Sequence, residues 1–392
     1  MSVQPPSFGQ PAPWFTCRSQ TRERFVFDTV AGRYMVLCFF GSAAEPLSAR
    51  VLQLLLAQRR RFDDDNLCFF GVSVDPEDET RQRVATALPG IRYFWDFERQ
   101  VSTLYGAVQA DGGYRRVSYV LDPLLRVLAV LPFGNDAEAH VAELLALLER
   151  LPAVGAAYPA PVQAPVLVLP RVFEPKLCRA LIDYYRSQGG APSGFMQDRG
   201  DKTVLVLGQD HKSRRDCTLE DEALRLACQR RIHERLVPEI HKTFQFRVTR
   251  MERYLVGCYD ASEQGHFRPH RDNTTRGTAH RRFAVSLFLN TGEYEGGQLR
   301  FPEFGPALYS APPGGAVVFS CSLLHEATQV TRGQRYMFLP FLYDEEARRI
   351  REENQVYLAS EPAVAAPQAG GRAARRGARA WAWAQPGPTL AR

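Results

Sequence analysis

No run of about eighteen consecutive apolar residues occurs in this 392-residue chain, so the sequence offers no helix able to cross a membrane. The opening residues, Met1 to Pro6, lack the basic start and apolar core of a secretory leader. A cytoplasmic location is the expectation. Cysteine is scattered, at Cys17, Cys38, Cys68, Cys178, Cys217, Cys228, Cys258 and Cys321. No two stand as Cys-x-x-Cys, which argues against structural zinc and against a disulfide framework. A reducing compartment fits that pattern. Acid is missing after Glu361, where Arg372, Arg375, Arg376, Arg379 and Arg392 supply five of the six net positive charges. Residues 362–392, rich in Ala, Gly, Pro and Arg, read as a disordered, solvated tail. No nucleic-acid fold precedes that tail, so nucleic acid is not an expected partner.

What is present suffices for two packed cores, with 45% hydrophobic residues over a length that favours two domains. The pattern with most chemical content is His270-Arg271-Asp272 followed by His325 and Arg335. Residues two apart on a strand leave the same face, so His270 and Asp272 can converge. A later histidine completes two imidazoles and one carboxylate, a set that holds Fe(II) on one side and leaves other positions open. His270-x-Asp272 is the only His-x-Asp in the chain, and His-x-Glu does not occur. His280 lies close in sequence and has Asn290 ten residues on, whereas His325 has Arg335 at that offset. An arginine there can grip a carboxylate of a co-substrate. The surroundings predict β-structure: Phe283 to Leu289, a glycine turn within Glu295 to Phe301, and Gly315 to Ser320.

Through Tyr259, Gly265-His266-Phe267, His270 to Asn273, Arg282, Leu289-Asn290, Gly296 to Phe301, Pro313-Gly314, Phe319, His325 and Gly333 to Arg335, residues 166–344 resemble the prolyl 4-hydroxylase-type 2-oxoglutarate and Fe(II)-dependent oxygenases. The resemblance implies a double-stranded β-helix, or jelly roll, with flanking helices. It implies iron held by His270, Asp272 and His325, which are also the catalytic set, and 2-oxoglutarate held by Arg335 and Tyr259. Phe288 stands where some relatives carry a second co-substrate tyrosine. The implied reaction is hydroxylation with release of succinate and CO2, consuming O2, with ascorbate as a reductant of oxidised iron. Asp272 argues against the halogenating relatives, which replace this carboxylate with a small residue. Arg271 and Arg282, in a basic cluster beside the metal residues, are the candidate substrate contacts. A free amino acid, a prolyl peptide and a small metabolite stay open as substrates.

The first half reads differently. Tyr34 to Phe40 and Leu67 to Val74 are continuous apolar runs, as in buried central strands. The spacing predicts helices over 46–61, 76–87, 97–105 and 136–150, and strands at 91–95, 115–121 and 125–131. Alternating strands and helices argue an α/β sheet covered on both faces. Pro11 to Phe15, Phe70 to Asp75, Asp96, Tyr105-Gly106 and Arg116 to Asp122 make residues 8–150 resemble the thioredoxin-fold peroxiredoxins of the alkyl hydroperoxide reductase and thiol-specific antioxidant family. That family places a nucleophilic cysteine at the start of the first helix. Here Gly41 to Ser48 contains none. An alcohol such as Ser48 stays protonated and has no sulfenic acid chemistry. The expectation is a half without peroxidase activity that serves docking, dimerisation or solubility. The proline-rich stretch Leu151 to Pro165 reads as a linker, giving 1–150, 151–165, 166–355 and the tail 362–392 as units. Two other readings stay open: a thiol peroxidase run by the first half, and a non-catalytic binding protein.

Overall fold

The computed structural model describes residues 4–359 together with 363–364. The expected disordered tail at 362–392 lies outside the described residues, apart from those last two. In the first half, seven strands form one sheet in the order Phe25–Val26, Thr16–Ser19, Ile91–Trp95, Leu67–Ser73, Tyr34–Gly41, Val117–Leu121, Val127–Pro132. The three central strands, Tyr34–Gly41, Leu67–Ser73 and Ile91–Trp95, run parallel.

Alternation along Tyr34–Gly41 explains why that run is apolar throughout. Val36, Cys38 and Phe40 face the helices Pro46–Ala57 and Ala137–Glu149, meeting Val51, Leu55, Val141 and Leu144. Met35, Leu37 and Phe39 face an aromatic layer that includes Phe15, Phe27, Phe70, Phe94 and Tyr105. Within it Phe70 stacks on Phe94 at 4.9 Å. This is a thioredoxin-like α/β layer arrangement. The helix expected over 76–87 is shorter, Pro76–Thr80. Gln82 takes a left-handed φ of 51°, and Arg83 folds back onto Asp75, Glu77 and Asp78, which stops the helix.

Residues 152–164 carry neither helix nor strand. Beyond them two facing sheets form a jelly roll. The larger follows Arg250–Glu252, Phe341–Tyr343, Phe283–Phe288, Gln334–Phe338, Leu255–Asp260, Arg215–Thr218 and Ala191–Pro192, and Ala316–Ser320 also pairs with Phe283–Phe288. The smaller follows Lys212–Ser213, His266–His270, His325–Ala327, Leu299–Arg300 and Leu308–Tyr309. Phe267, Leu299, Phe301 and Ala327 of the smaller sheet meet Tyr259, Phe288, Val317 and Met337 of the larger one. The outer face of the larger sheet is covered by the helices Pro175–Gln188, Glu222–Arg231 and Val237–Phe244 through Leu181, Ile182, Cys228 and Ile240.

A buried arginine joins the halves. Arg126, fully buried, donates to the carbonyls of Gly9 and Pro170 and, at 3.2 Å, of Arg171. Burial pulls its guanidinium down from 12.5 to about 10, so it stays charged at neutral pH. Beside it Arg171 pairs with buried Asp122, and Gln10 bonds Glu234 at 2.9 Å.

Candidate active site

His270 and His325 end and begin adjacent antiparallel strands of the smaller sheet and stand directly opposite each other. Asp272 is not on the strand with His270, as the two-residue spacing predicts. The strand ends at His270, and Asp272 sits in the following turn, tied down by its N–H to the Cys321 carbonyl at 3.0 Å. The turn nevertheless returns the carboxylate to the imidazoles. His270 Nε2 lies 3.6 Å from Asp272 Oδ1, and His325 Nε2 lies 3.3 Å from Oδ2. Donors at about 2.1 Å on adjacent octahedral positions would be about 3 Å apart, so these separations suit one ion. Among the described residues this is the one cluster of three such donors.

The ring orientations are fixed from behind. His270 Nδ1 meets the Arg268 carbonyl at 2.8 Å, and His325 Nδ1 meets that of Leu323 at 3.0 Å. A carbonyl only accepts, so each Nδ1 carries the proton and each Nε2 keeps a free lone pair. The His270 ring stacks on Phe267 at 3.5 Å, and His325 leans on Phe319 at 4.5 Å. Burial pulls His325 down from 6.5 to about 4, leaving it neutral. Burial raises the Asp272 carboxyl, but the protonated forms of the two imidazoles, with Arg281, outweigh that and hold it well below the usual carboxylate range. His280 takes no part: its Nε2 bonds buried Glu252 at 3.0 Å.

Arg335 reaches the same cavity from the larger sheet, where it pairs with Tyr259 across two strands. It is 1% exposed, and among the described residues no carboxylate pairs with it. Its Nε has no hydrogen-bond partner. The guanidinium lies between the rings of Tyr259, at 4.8 Å, and Phe288, at 5.2 Å. Leaving such a charge buried without an anion is costly. The seat therefore fits a ligand carboxylate. Phe288 offers only its face, as expected for a position without a hydroxyl. Tyr259 Oη receives a hydrogen bond from Arg214 at 3.2 Å, which leaves its own proton free to donate.

Gly297 makes room for this arginine. Its φ is +69°, and a Cβ there would lie 2.7 Å from Arg335 Cδ and 2.8 Å from Val330 Cγ2. Gly297→Ala is expected to displace Arg335 and weaken 2-oxoglutarate binding roughly tenfold, as for a strain of 1–2 kcal/mol, with metal affinity retained. Calorimetric titration of each ligand separately checks this.

With this geometry in place, comparison with known families is direct. Residues 254–343 match the model of the 2OG-Fe(II) oxygenase superfamily, and residues 8–130 match that of the AhpC/TSA family. The two matches fall on separate halves of the chain, the AhpC/TSA match on the first and the 2OG-Fe(II) oxygenase match on the second. Curated proteins named PKHD-type hydroxylase from two Synechococcus strains, JA-2-3B'a(2-13) and JA-3-3Ab, are each 28% identical over 118 residues, or 28% of this chain and 52% of theirs. The chain thus spans about half the length of these relatives. Among solved structures, a Pseudomonas putida prolyl-4-hydroxylase aligns with 19% identity and a TM-score of 0.36, covering 46% of this chain and 94% of its own. The peroxidoxin BcpB of Mycobacterium tuberculosis aligns with 19% identity and a TM-score of 0.33, covering 38% and 99%.

The oxygenase half also contains residues that the sequence pattern did not single out. Arg214 grips Asp216 with Nε at 2.6 Å and Nη2 at 2.7 Å, and Lys212 and Arg253 stand nearby along a second, wider pocket that shares His270 and Asp272. The alternation Lys212, Arg214, Asp216 is a period-two polar signal that could have revealed them. Of the candidate substrate arginines, Arg271 lines this wider pocket but pairs with Glu303 at 2.7 Å. Arg282 donates to the Ala279 carbonyl at 3.1 Å and lines neither pocket.

In the AhpC/TSA half the helix Pro46–Ala57 starts without a thiol. Ser48 is fully buried and donates to the Phe40 carbonyl at 2.7 Å. The N–H of Ala43 is taken by the buried Asp78 carboxylate at 2.9 Å, a charge that opposes a thiolate. Arg116 stands 3.8 Å from Glu45. Cys38 and Cys68 are buried in strands, and burial pushes both thiols up to about 12. Peroxide added to the native protein is expected to consume no thiol stoichiometrically and to drive no reductant turnover. Thiol titration before and after denaturation measures this.

Proposed function

We propose that the chain is an Fe(II)- and 2-oxoglutarate-dependent dioxygenase that hydroxylates a small-molecule or peptidyl substrate. Its oxygenase domain would span about 166–355, behind a peroxiredoxin-like domain at 1–150 and a linker at 151–165. The observation that carries this reading is one cavity lined both by His270, Asp272 and His325 and by the unpaired cation Arg335. His270 and His325 would bind iron through Nε2 and Asp272 through a carboxylate oxygen. Bound iron would supply the redox centre for O2 activation and for decarboxylation of 2-oxoglutarate to succinate and CO2. Arg335 would hold the far carboxylate of 2-oxoglutarate as a bidentate pair, with the Tyr259 hydroxyl as a second donor. Phe319 and Leu299 line the cavity and Phe288 backs Arg335, so that end is apolar and excludes water. Ascorbate would reduce iron oxidised in uncoupled cycles, in a cytoplasmic setting.

The test is succinate formation from 2-oxoglutarate by full-length protein loaded anaerobically with Fe(II) and then exposed to O2, beside a peroxide-consumption assay. Succinate without peroxide consumption supports the reading. Peroxide consumption without succinate overturns it in favour of a thiol peroxidase.

A further inference from the structure

The wider pocket beside the metal residues holds more positive charge than its own acids can neutralise. Three of its cations, Arg281, Arg253 and Lys212, are informative, together with Arg214, which lines the adjoining metal cavity. Arg214 is fully engaged, bidentate on Asp216 and bonded to Ser193 Oγ at 3.1 Å. Arg281 is paired with Glu252 at 2.9 Å. Arg253 has only a 3.3 Å contact to Asp216 Oδ2, an oxygen already occupied by Arg214 at 2.7 Å and the Ser193 hydroxyl at 2.5 Å. Lys212, 5% exposed, has the Gly194 carbonyl at 2.6 Å and the face of Phe267 at 4.7 Å, but no carboxylate of its own. Three cations, Lys212, Arg214 and Arg253, therefore share the single charge of Asp216.

Ligation does not remove the excess. Fe(II) and the two charges of 2-oxoglutarate cancel, and Arg335 offsets Asp272. The charge of Arg253 stays in the pocket after both are bound, and Lys212 adds a second when protonated. Arg253 also sits at a left-handed φ of 65°, a conformation that residues other than glycine seldom adopt. Burial lowers the Lys212 ammonium well below 10.5 and Arg253 from 12.5 to about 10, and an anion placed between them would favour the charged form of each.

We propose that Arg253, which lines both the metal cavity and the wider pocket, and Lys212, which lines the wider pocket, recognise an oxyanion on the substrate, a carboxylate or a phosphate, distinct from the 2-oxoglutarate carboxylate on Arg335. The hydroxylated molecule is then an acidic metabolite or a chain end carrying such a group, not an uncharged interior peptide segment. This inference rests on the oxygenase reading and narrows its substrate.

The experiment uses full-length protein loaded with Mn(II) and 2-oxoglutarate, which binds without turnover. A metabolite extract is divided on ion exchangers into anionic, neutral and cationic fractions, and each is scored for its shift of the thermal midpoint. The same fractions are scored for stimulated succinate formation by the Fe(II) protein. The anionic fraction alone is expected to raise the midpoint and stimulate turnover. Phosphatase treatment of that fraction abolishes both effects if the group is a phosphate and spares both if it is a carboxylate. Arg253→Gln is expected to raise the half-saturating amount of the fraction about tenfold or more, and Arg253→Lys to recover part of it. A response to the neutral or cationic fraction, to no fraction, or an unchanged response in Arg253→Gln overturns the proposal. Absence of succinate from 2-oxoglutarate under every condition is a different failure, that of the oxygenase reading itself.

Discussion

Arg335→Met is expected to raise the 2-oxoglutarate concentration needed for half-maximal succinate formation roughly 100-fold, because a bidentate charged pair in a buried seat contributes about 2–4 kcal/mol. Methionine keeps most of the volume between Tyr259 and Phe288, so the cavity wall stays filled. Metal affinity should be nearly unchanged, since Arg335 stands on the larger sheet and the three donors on the smaller sheet and its adjoining turn. Arg335→Lys should recover part of the loss, because a point charge replaces the fork without its geometry. The measurement is a pair of titrations, 2-oxoglutarate at saturating Fe(II) and Fe(II) at saturating 2-oxoglutarate. An Arg335→Met protein with unaltered dependence on 2-oxoglutarate removes Arg335 from the co-substrate site.

Asp272→Ala is expected to abolish coupled turnover and to weaken metal binding by at least about 100-fold, more than the 10–100-fold typical when only a partner behind a ligand is lost. Two neutral imidazoles would face the ion without the one anionic donor. The substitution also removes a charge buried beside His325, so the fold should survive it. Co(II) absorption and circular dichroism on the same sample separate loss of the site from loss of the fold. Tight Co(II) binding by the variant would reassign the carboxylate ligand.

How much of this was readable in the chain depended on how local the signal was. His270 and Asp272 are two residues apart, and His325 and Arg335 lie within a short β-rich run, so spacing brought them forward. Even there the geometry differed, since a turn and not a shared strand face returns Asp272 to His270. The apolar runs Tyr34 to Phe40 and Leu67 to Val74 identified central strands because both faces of that sheet are covered. Lys212, Arg214 and Arg253 were not recognised. The alternation Lys212, Arg214, Asp216 is short and its partner Arg253 is distant in sequence; the pairings of Lys212–Ser213 with His266–His270 and of Arg215–Thr218 with Leu255–Asp260 bring their segments together. The helix Pro76–Thr80 is shorter than its periodicity predicts because Arg83 folds back onto Asp75 and Asp78, a local contact that periodicity does not report.

The seam at Arg126 bears on what the first half does for the second. Its guanidinium holds carbonyls on both sides, and Pro170 and Arg171 directly follow Leu167–Leu169, the strand that extends the larger sheet beside Ala316–Ser320. A disturbance in the hairpin that carries Arg126 is thus felt at the edge of the sheet that positions Arg335. The first half thereby forms one wall of its neighbour's housing.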